Sequence, residues 1–152
     1  MDSKERDGGA AGITATKHRG SCHCGKVRFE VAIDPSARAS RCNCTICTKT
    51  AILGGIVKPS AFTLLAGDEA SLGVYAWGAK TGRRYFCQVC GVHCYGRGYL
   101  EQVGGEYVSV NVNCLDDVEI ADLEVVSWDG RHDNWEAGPR GAPWPIAPRT
   151  PA

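Results

Sequence analysis

Alternating apolar and polar residues recur along the chain and predict short β-strands. In residues 27–33 and again in residues 107–112, every second position is apolar, so one face of an extended segment would be buried. Shorter segments extend this pattern, and the predicted strands are residues 27–33, 52–57, 62–65, 72–77, 83–86, 107–112 and 123–128. Helical periodicity is confined to a turn or two around residues 132–136. The chain is therefore predicted to be mainly β, with antiparallel sheets and little helix.

The length of the chain and its prolines predict one folded domain between two tails. A chain of 152 residues can form one domain with its own core. Residues 1–18 show no periodicity and are expected to be a flexible tail, whereas residues 19–146 are expected to fold. The proline-rich stretch 139–151 excludes a helix or a central strand, and residues 147–152 are expected to be a second tail. Trp144 lies before this tail and favours an extended segment packed on the body.

The balance of charged residues argues against nucleic acid and membranes as binding partners. Lys and Arg total 17 and Asp and Glu total 17, so the formal net charge is zero. A neutral chain lacks the broad positive field that favours binding to nucleic acid or to an anionic membrane. No apolar run approaches the length of about 20 residues that a membrane-spanning helix needs, and the first residues are charged. We therefore expect a cytoplasmic protein with no membrane partner and no nucleic-acid partner, whose oligomeric state is open.

The cysteines are the most informative feature of the composition. The chain has 9 cysteines, and most of them stand in three tight motifs. These are Cys-x-Cys at residues 22–24, Cys-x-Cys-x-x-Cys at residues 42–47 and Cys-x-x-Cys at residues 87–90. In a reducing compartment, clustered thiols are more often metal ligands than disulfides. Short cysteine pairs suit tetrahedral zinc, because each pair supplies two sulfur ligands from one local piece of backbone.

The clustered thiols divide naturally into a set of four and a set of three. Four thiolates close a structural zinc site and tie distant segments together, which stabilises the fold. Three thiolates leave one coordination position open for water or substrate, as in a reactive zinc site. The spacing does not show which of the earlier pairs joins Cys87 and Cys90.

Simpler roles for the cysteines and histidines fit the sequence to different degrees. A disulfide framework needs an oxidising compartment, and a thioredoxin-like motif needs a helix after residue 90 that the pattern does not predict. Cys94 and Cys114 are interpreted as small buried residues. His23 is expected on the surface, and His93 is expected to be structural although it stands nearest the motifs.

The motifs resemble those of a known family. Residues 20–29, 42–47 and 84–91 are similar to the glutathione-dependent formaldehyde-activating enzyme and centromere protein V family, and residues 129–135 and 141–144 extend the likeness. The resemblance covers about residues 19–146 and implies a β-tent fold of stacked antiparallel sheets. It also implies two zinc sites, a structural one at Cys22, Cys24, Cys87 and Cys90 and a catalytic one at Cys42, Cys44 and Cys47. A three-thiolate site binds its metal less completely, so the second zinc is expected to be labile.

The resemblance also implies an activity. Members of the family join glutathione to formaldehyde to give S-(hydroxymethyl)glutathione, and the family is classed among the carbon–sulfur lyases. A zinc with an open position could bind a small thiol as its nucleophilic thiolate and present it to an aldehyde. Glutathione would need cations for two carboxylates, and the candidates near the motifs are Lys49, Arg83, Arg84 and Arg97. Each of these is individually more typical of a solvated surface charge.

Two other functions fit the same motifs. The chain could be a non-catalytic zinc module that binds a protein or nucleic acid, although loaded thiolate sites would make this neutral chain more acidic. It could also be a redox sensor, in which the open site at residues 42–47 would oxidise and lose zinc before the closed site.

Overall fold

The computed structural model describes residues 15–77 and 82–145. The strands are β1 Thr16–Ser21, β2 Arg28–Ile33, β3 Ser40–Cys42, β4 Gly54–Val57, β5 Phe62–Ala66, β6 Gly73–Tyr75, β7 Arg83–Phe86, β8 His93–Leu100, β9 Gly105–Asn111 and β10 Val126–Trp128. The helices are α1 Pro35–Arg38 and α2 Thr45–Thr50, and short 3₁₀ turns join several strands. Within the described residues, no helix has the length and apolarity needed to cross a bilayer.

The strands form two sheets. One is a three-stranded sheet in the order β1-β2-β5, and the other is a seven-stranded sheet in the order β10-β3-β4-β9-β8-β7-β6. The pairings are antiparallel except that β10 runs parallel to β3. The prediction of a mainly β protein is confirmed, and the expectation of antiparallel pairing is wrong only at this edge strand.

The core lies between the two sheets. Phe29 and Phe62 of the small sheet are buried against Tyr95 of the large sheet, with ring centroids of Phe62 and Tyr95 4.6 Å apart. The sheets approach each other closely at Gly55, where an added Cβ would lie 2.7 Å from Cδ1 of Ile33. Because side chains alternate along each strand, the other face of the large sheet points away from this core. The open site described below lies on that outer face.

Two helices were not predicted, and the predicted helix is not formed. The helix α2 has 6 residues, too few for an apolar periodicity to show, and its Cys44 and Cys47 serve a cluster described below. The helix α1 has 4 residues, with Asp34 as its N-cap and a proline in its first turn. Around residues 132–136 the chain instead forms two separate 3₁₀ turns, because Asp133 adopts a left-handed conformation with φ 52° that interrupts the helix.

Several strand boundaries also differ from the predictions. The strand β1 begins at Thr16, so the expected tail of residues 1–18 is wrong for its last residues. The strands β3 and β8 were missed, because β3 is short and glycines interrupt the alternation of β8. The strand expected at residues 123–128 is shorter than predicted. Residues 1–14 and the expected tail at 147–152 lie outside the described residues.

The proline-rich segment packs on the body as far as it is described. Arg140 forms an isolated antiparallel bridge with Ser127 of β10. Trp144 donates its indole N–H to the Ser127 carbonyl at 2.8 Å, and the Arg140 guanidinium lies 4.1 Å from the centroid of the Trp144 ring. The expected extended segment at Trp144 is confirmed.

Candidate metal centres and active-site cavity

Four cysteines from distant parts of the chain meet in one cluster, which we call the four-cysteine cluster: Cys22, Cys24, Cys87 and Cys90. Their sulfur atoms all lie within 4.8 Å of one another, and Sγ of Cys24 is 3.6 Å from Sγ of Cys22 and 3.7 Å from Sγ of Cys87. Four sulfurs bound to one tetrahedral zinc at about 2.3 Å lie about 3.8 Å apart. The residues therefore fit a tetrahedral zinc ion.

Two tight turns build this cluster and orient backbone amides toward the sulfurs. One turn follows β1 and contains Gly25 at φ 81°, and the other follows β7 and contains Gly91 at φ 80°. The N–H of Val27 donates to Sγ of Cys22 at 3.3 Å. Backbone amides, first that of Val92, lower the pKa of the Cys90 thiol to about 6. These donors stabilise the thiolate form that binds zinc.

The four-cysteine cluster connects the two sheets. Cys22 and Cys24 follow a strand of the small sheet, whereas Cys87 and Cys90 follow a strand of the large sheet. The cysteine spacing did not show which earlier pair joins Cys87 and Cys90. In the structure, Cys22 and Cys24 lie beside them, and no pair from residues 42–47 does. A metal held here would tie the sheets together.

The remaining motif forms a second cluster, the three-cysteine cluster: Cys42, Cys44 and Cys47. Cys42 ends β3, Cys44 is the N-cap of α2 and Cys47 lies inside α2, so a short strand, a turn and one helical turn bring the three sulfurs within 4.8 Å. All three side chains are half-buried. The thiols of Cys42 and Cys44, and then Arg84, lower the pKa of Cys47 to about 2. A sulfur-only set of three fits zinc with one position left for another ligand.

Arg84 places a cation against the three-cysteine cluster. Its Nη2 donates to Sγ of Cys47 at 3.3 Å, and its guanidinium lies 5.5 Å from the ring centroid of Trp77. The sequence placed Arg84 among four candidate cations but gave no sign of its contact with Cys47. The two residues stand 37 positions apart in the sequence, one on β7 and one on α2, so no local pattern could indicate that they meet.

The other candidate cations are placed differently. Arg97 donates from Nε to Oε1 of Glu69 at 2.9 Å and lies over the Phe62 ring, so it is committed to a structural ion pair. Arg83 is exposed, and so is Lys49 on α2. The expectation of a solvated surface charge is confirmed for Arg83 and Lys49 and is wrong for Arg84 and Arg97, which are half-buried.

A network of polar side chains holds the loop of the three-cysteine cluster. Asn43 donates from Nδ2 to Oδ1 of the buried Asp129 at 2.8 Å and accepts from the Arg131 N–H at 2.8 Å. His132 lies with Nδ1 2.8 Å from the same carboxylate. Asn43, and then His132, lower the pKa of Asp129, although burial opposes the shift. Neither Asn43 nor Asp129 was given a role at the site from the sequence.

Gly130 lets this loop approach the cluster. A Cβ at residue 130 would lie 2.4 Å from Sγ of Cys42 and 2.7 Å from the Trp135 ring. Carbon and sulfur atoms in contact are normally separated by more than about 3.5 Å. Only glycine fits at residue 130 while Cys42 keeps its present place.

The three-cysteine cluster lies at one end of a cavity of about 580 Å³. Its floor is the outer face of the large sheet, where small residues leave room: Ser40, Gly54, Gly96 and Ser109. Trp128 and Trp135 form a wall beside Cys42. The volume lies within the range of about 300–1,000 Å³ that is typical of small-molecule sites. The cavity therefore gives a small molecule access to the Cys42 and Cys47 sulfurs.

Comparison with known proteins identifies the family. Residues 17–129 match the family model described as glutathione-dependent formaldehyde-activating enzyme. The chain belongs to this family. The resemblance drawn from the motifs is thus confirmed.

Two individual relatives support the assignment. A Halomonas elongata protein named "Putative glutathione-dependent formaldehyde-activating enzyme" is 37% identical over 78 residues, which cover 47% of this chain and 50% of that protein. The chain therefore matches about half the length of this curated relative. The crystal structure of a Rhodobacter sphaeroides protein superposes with a TM-score of 0.62 at 32% identity, covering 72% of this chain and 98% of that one. The mainly β fold that the resemblance implied is confirmed.

The histidines and cysteines to which the sequence analysis gave no metal-binding role do not line the cavity. His23 is exposed, and Cys94 and Cys114 are buried in the core, as predicted. His93 stacks on Phe86 with centroids 5.0 Å apart, and its buried Nδ1 has no hydrogen-bond partner among the described residues. Burial, and then Arg84, lower the pKa of His93, so the neutral ring is favoured.

Proposed function

We propose that the protein is a zinc-dependent carbon–sulfur lyase that acts on a small thiol–aldehyde adduct such as S-(hydroxymethyl)glutathione. The proposal rests on the difference between the two clusters. The four-cysteine cluster can close a tetrahedral site, whereas the three-cysteine cluster can offer one open position and lies at a cavity of substrate size. Membership of the formaldehyde-activating family supports this choice of chemistry.

The reaction joins or separates a thiol and an aldehyde. In the forward direction the thiol sulfur bonds to the carbonyl carbon, and the thiol proton passes to the carbonyl oxygen, which becomes a hydroxyl. In the reverse direction the carbon–sulfur bond breaks, and the sulfur keeps the electron pair and regains the proton. No external oxidant or reductant is needed, because the atoms and electrons balance within the adduct.

The residues of the three-cysteine cluster have defined roles in this proposal. Cys42, Cys44 and Cys47 would hold the reactive zinc, which when bound supplies a Lewis-acidic position that favours a substrate thiolate. Arg84 fixes Cys47 through its hydrogen bond and compensates part of the negative charge of the sulfurs. Trp128 and Trp135 cover the Cys42 side of the cavity and limit access of water.

The four-cysteine cluster is proposed to hold a structural zinc. Its sulfurs come from both sheets, and none of its members lies in the cavity lining. All 9 cysteines lie in the described residues and none is in a disulfide. Since free clustered thiols persist in reducing surroundings, we propose that the protein works in the cytoplasm.

Zinc stoichiometry combined with an adduct assay tests the proposal. Protein purified under reducing conditions would be analysed by elemental mass spectrometry, and exchange between formaldehyde and its glutathione adduct would be followed by NMR. We expect two zinc ions per wild-type chain and one in Cys44→Ala, with catalysed exchange only in the wild type. Cys94→Ala is the matched control, because Cys94 belongs to neither cluster and does not line the cavity, so this variant should retain both zinc ions.

Two results would contradict the proposal. Two bound zinc ions without acceleration of exchange for any thiol and aldehyde would indicate a non-catalytic zinc module. Selective loss of one zinc on mild peroxide treatment, again without turnover, would indicate a thiol redox sensor.

A further inference from the structure

The cavity extends well beyond the sulfurs along the outer face of the large sheet. Strand pairing places Arg84, Gly96, Ser109 and Ile56 in one row across the strands β7, β8, β9 and β4. The next outer-face pair along the strands, Gly98 with Tyr107, is displaced by two residues, or about 7 Å. The cavity therefore has a near end at the cysteines and a far end beyond this row.

The far end is lined by large apolar side chains. Leu100, Val103 and Tyr107 border the cavity beyond this row, and Ile56 stands in the row itself. Ile56, Leu100 and Val103 remain 45%, 43% and 38% exposed. The Tyr107 ring lies across Gly98, where an added Cβ would be 2.5 Å from its hydroxyl oxygen. These apolar side chains line the same cavity as Cys42 and Cys47. Apolar surface in a cavity gains free energy when a ligand of matching character covers it.

Two of the three arginines in the described lining are engaged in other contacts. Arg84 is held at Sγ of Cys47, and Arg97 is paired with Glu69. Arg83 borders the cavity, but it pairs with Arg97 and stands one position along β7 from Arg84. Because side chains alternate along a strand, Arg83 does not belong to the row on the outer face. The far-end side chains Leu100, Val103 and Tyr107 carry no charge. Arg83 could pair with one carboxylate at most, so a ligand with two carboxylates would bring an unpaired charge to an apolar surface, which is unfavourable.

We propose that the far end binds an alkyl or aryl group of the substrate, so that the preferred adduct carries an apolar substituent on its thiol or on its aldehyde. This inference rests on the proposed lyase function, because it assumes that the reacting carbon and sulfur lie at the three-cysteine cluster. The far end is a part of that same cavity and lies beyond the Ser109 row, so the apolar group and the reacting atoms can be bound together.

A substrate series measures the preference. One arm pairs formaldehyde with ethanethiol, butanethiol and phenylmethanethiol, and a second arm pairs glutathione with butanal and benzaldehyde. The reference is glutathione with formaldehyde. Each methylene buried at the far end is expected to raise kcat/KM by about fourfold. The arm that shows this rise identifies whether the thiol or the aldehyde supplies the apolar group.

A pair of variants tests the location. Leu100→Asp introduces a charge at the far end, and we expect it to abolish the rise with chain length. Leu65→Asp is the matched control, because Leu65 is 46% exposed on β5 of the small sheet and does not border the cavity. Binding of the unreactive thioether benzyl methyl sulfide, followed by the fluorescence of Trp128 and Trp135, gives a readout that does not depend on turnover.

The outcomes separate this inference from the proposed function. Catalysed exchange of glutathione and formaldehyde, with no gain from apolar substituents and no effect of Leu100→Asp, would overturn the inference and leave the lyase function standing. Absence of exchange with every pair would overturn the lyase function. Binding of the thioether then shows whether the far end binds an apolar group. Saturable binding that is lost in Leu100→Asp and kept in Leu65→Asp supports an apolar ligand site. Failure of the thioether to bind the wild-type protein overturns it.

Discussion

Replacing Arg84 with glutamine should weaken metal binding at the three-cysteine cluster without unfolding the protein. The guanidinium donates to Sγ of Cys47 at 3.3 Å and lies over Trp77, and the substitution removes its charge while keeping a polar side chain. A hydrogen bond to a charged group contributes about 1.5–3 kcal/mol, and partial exposure of Arg84 places its contribution near the lower end. A loss of about 1.4 kcal/mol corresponds to about tenfold weaker zinc binding, within the range for residues that support metal ligands.

Competition with a chromophoric zinc chelator measures this change. Wild-type protein should release zinc in two steps, and Arg84→Gln should shift only the weaker step by about tenfold. Arg83→Gln is the matched control, because it removes the same charge from the neighbouring position of β7, where the side chain is exposed. Circular dichroism and a urea midpoint close to that of wild type would show that the fold is retained.

Two results would refute this reasoning about Arg84. Unchanged zinc affinity in Arg84→Gln would mean that the contact with Cys47 does not support the metal. An equal loss in Arg83→Gln would mean that general charge, not the hydrogen bond, governs the affinity. Arg84→Lys should fall between wild type and Arg84→Gln, since lysine keeps the charge but not the planar donor geometry.

Three further predictions concern other parts of the structure. Cys87→Ala should unfold the protein, because the four-cysteine cluster joins both sheets and structural zinc contributes about 10–16 kcal/mol in small metal-folded domains, whereas Cys44→Ala should stay folded by circular dichroism. Gly130→Ala should displace Cys42 and cost about 1–3 kcal/mol in urea unfolding, with loss of zinc from the three-cysteine cluster, whereas Gly141→Ala, where an added Cβ meets nothing within 4 Å, should change neither. Tyr95 and Arg97 hold the pKa of Glu69 below its ordinary 4.5 against the opposing effect of burial, so this carboxylate stabilises the fold above pH 4.5 and the benefit is lost as the pH falls through the folded-state pKa. Glu69→Gln should therefore lower the urea midpoint at pH 7, and its difference from wild type should shrink in acid; a difference that does not depend on pH would contradict this assignment.

Local sequence patterns were sufficient for much of the framework. The alternation in β2 and β9 predicted both strands to within two residues, because a period of two in apolar positions directly reflects which side of a strand is buried. The spacing of the cysteines indicated local ligand pairs, because residues two or three positions apart can bring two sulfurs to one metal ion. The order of the three motifs was specific enough to indicate the family.

Longer-range partners depend on the arrangement of the strands, and no local spacing contains that information. Arg84 meets Cys47 across 37 positions, and Asn43 meets Asp129 across 86 positions, so nothing in either neighbourhood indicates the other. The strand β8, whose glycines interrupt the alternation, is held by its pairing with β7 and β9. The chain thus encodes its cysteine motifs and its regular strands locally, while the pairing of the motifs, the cavity and the polar contacts around the three-cysteine cluster arise only when the two sheets assemble, because each of them needs atoms from several strands at once.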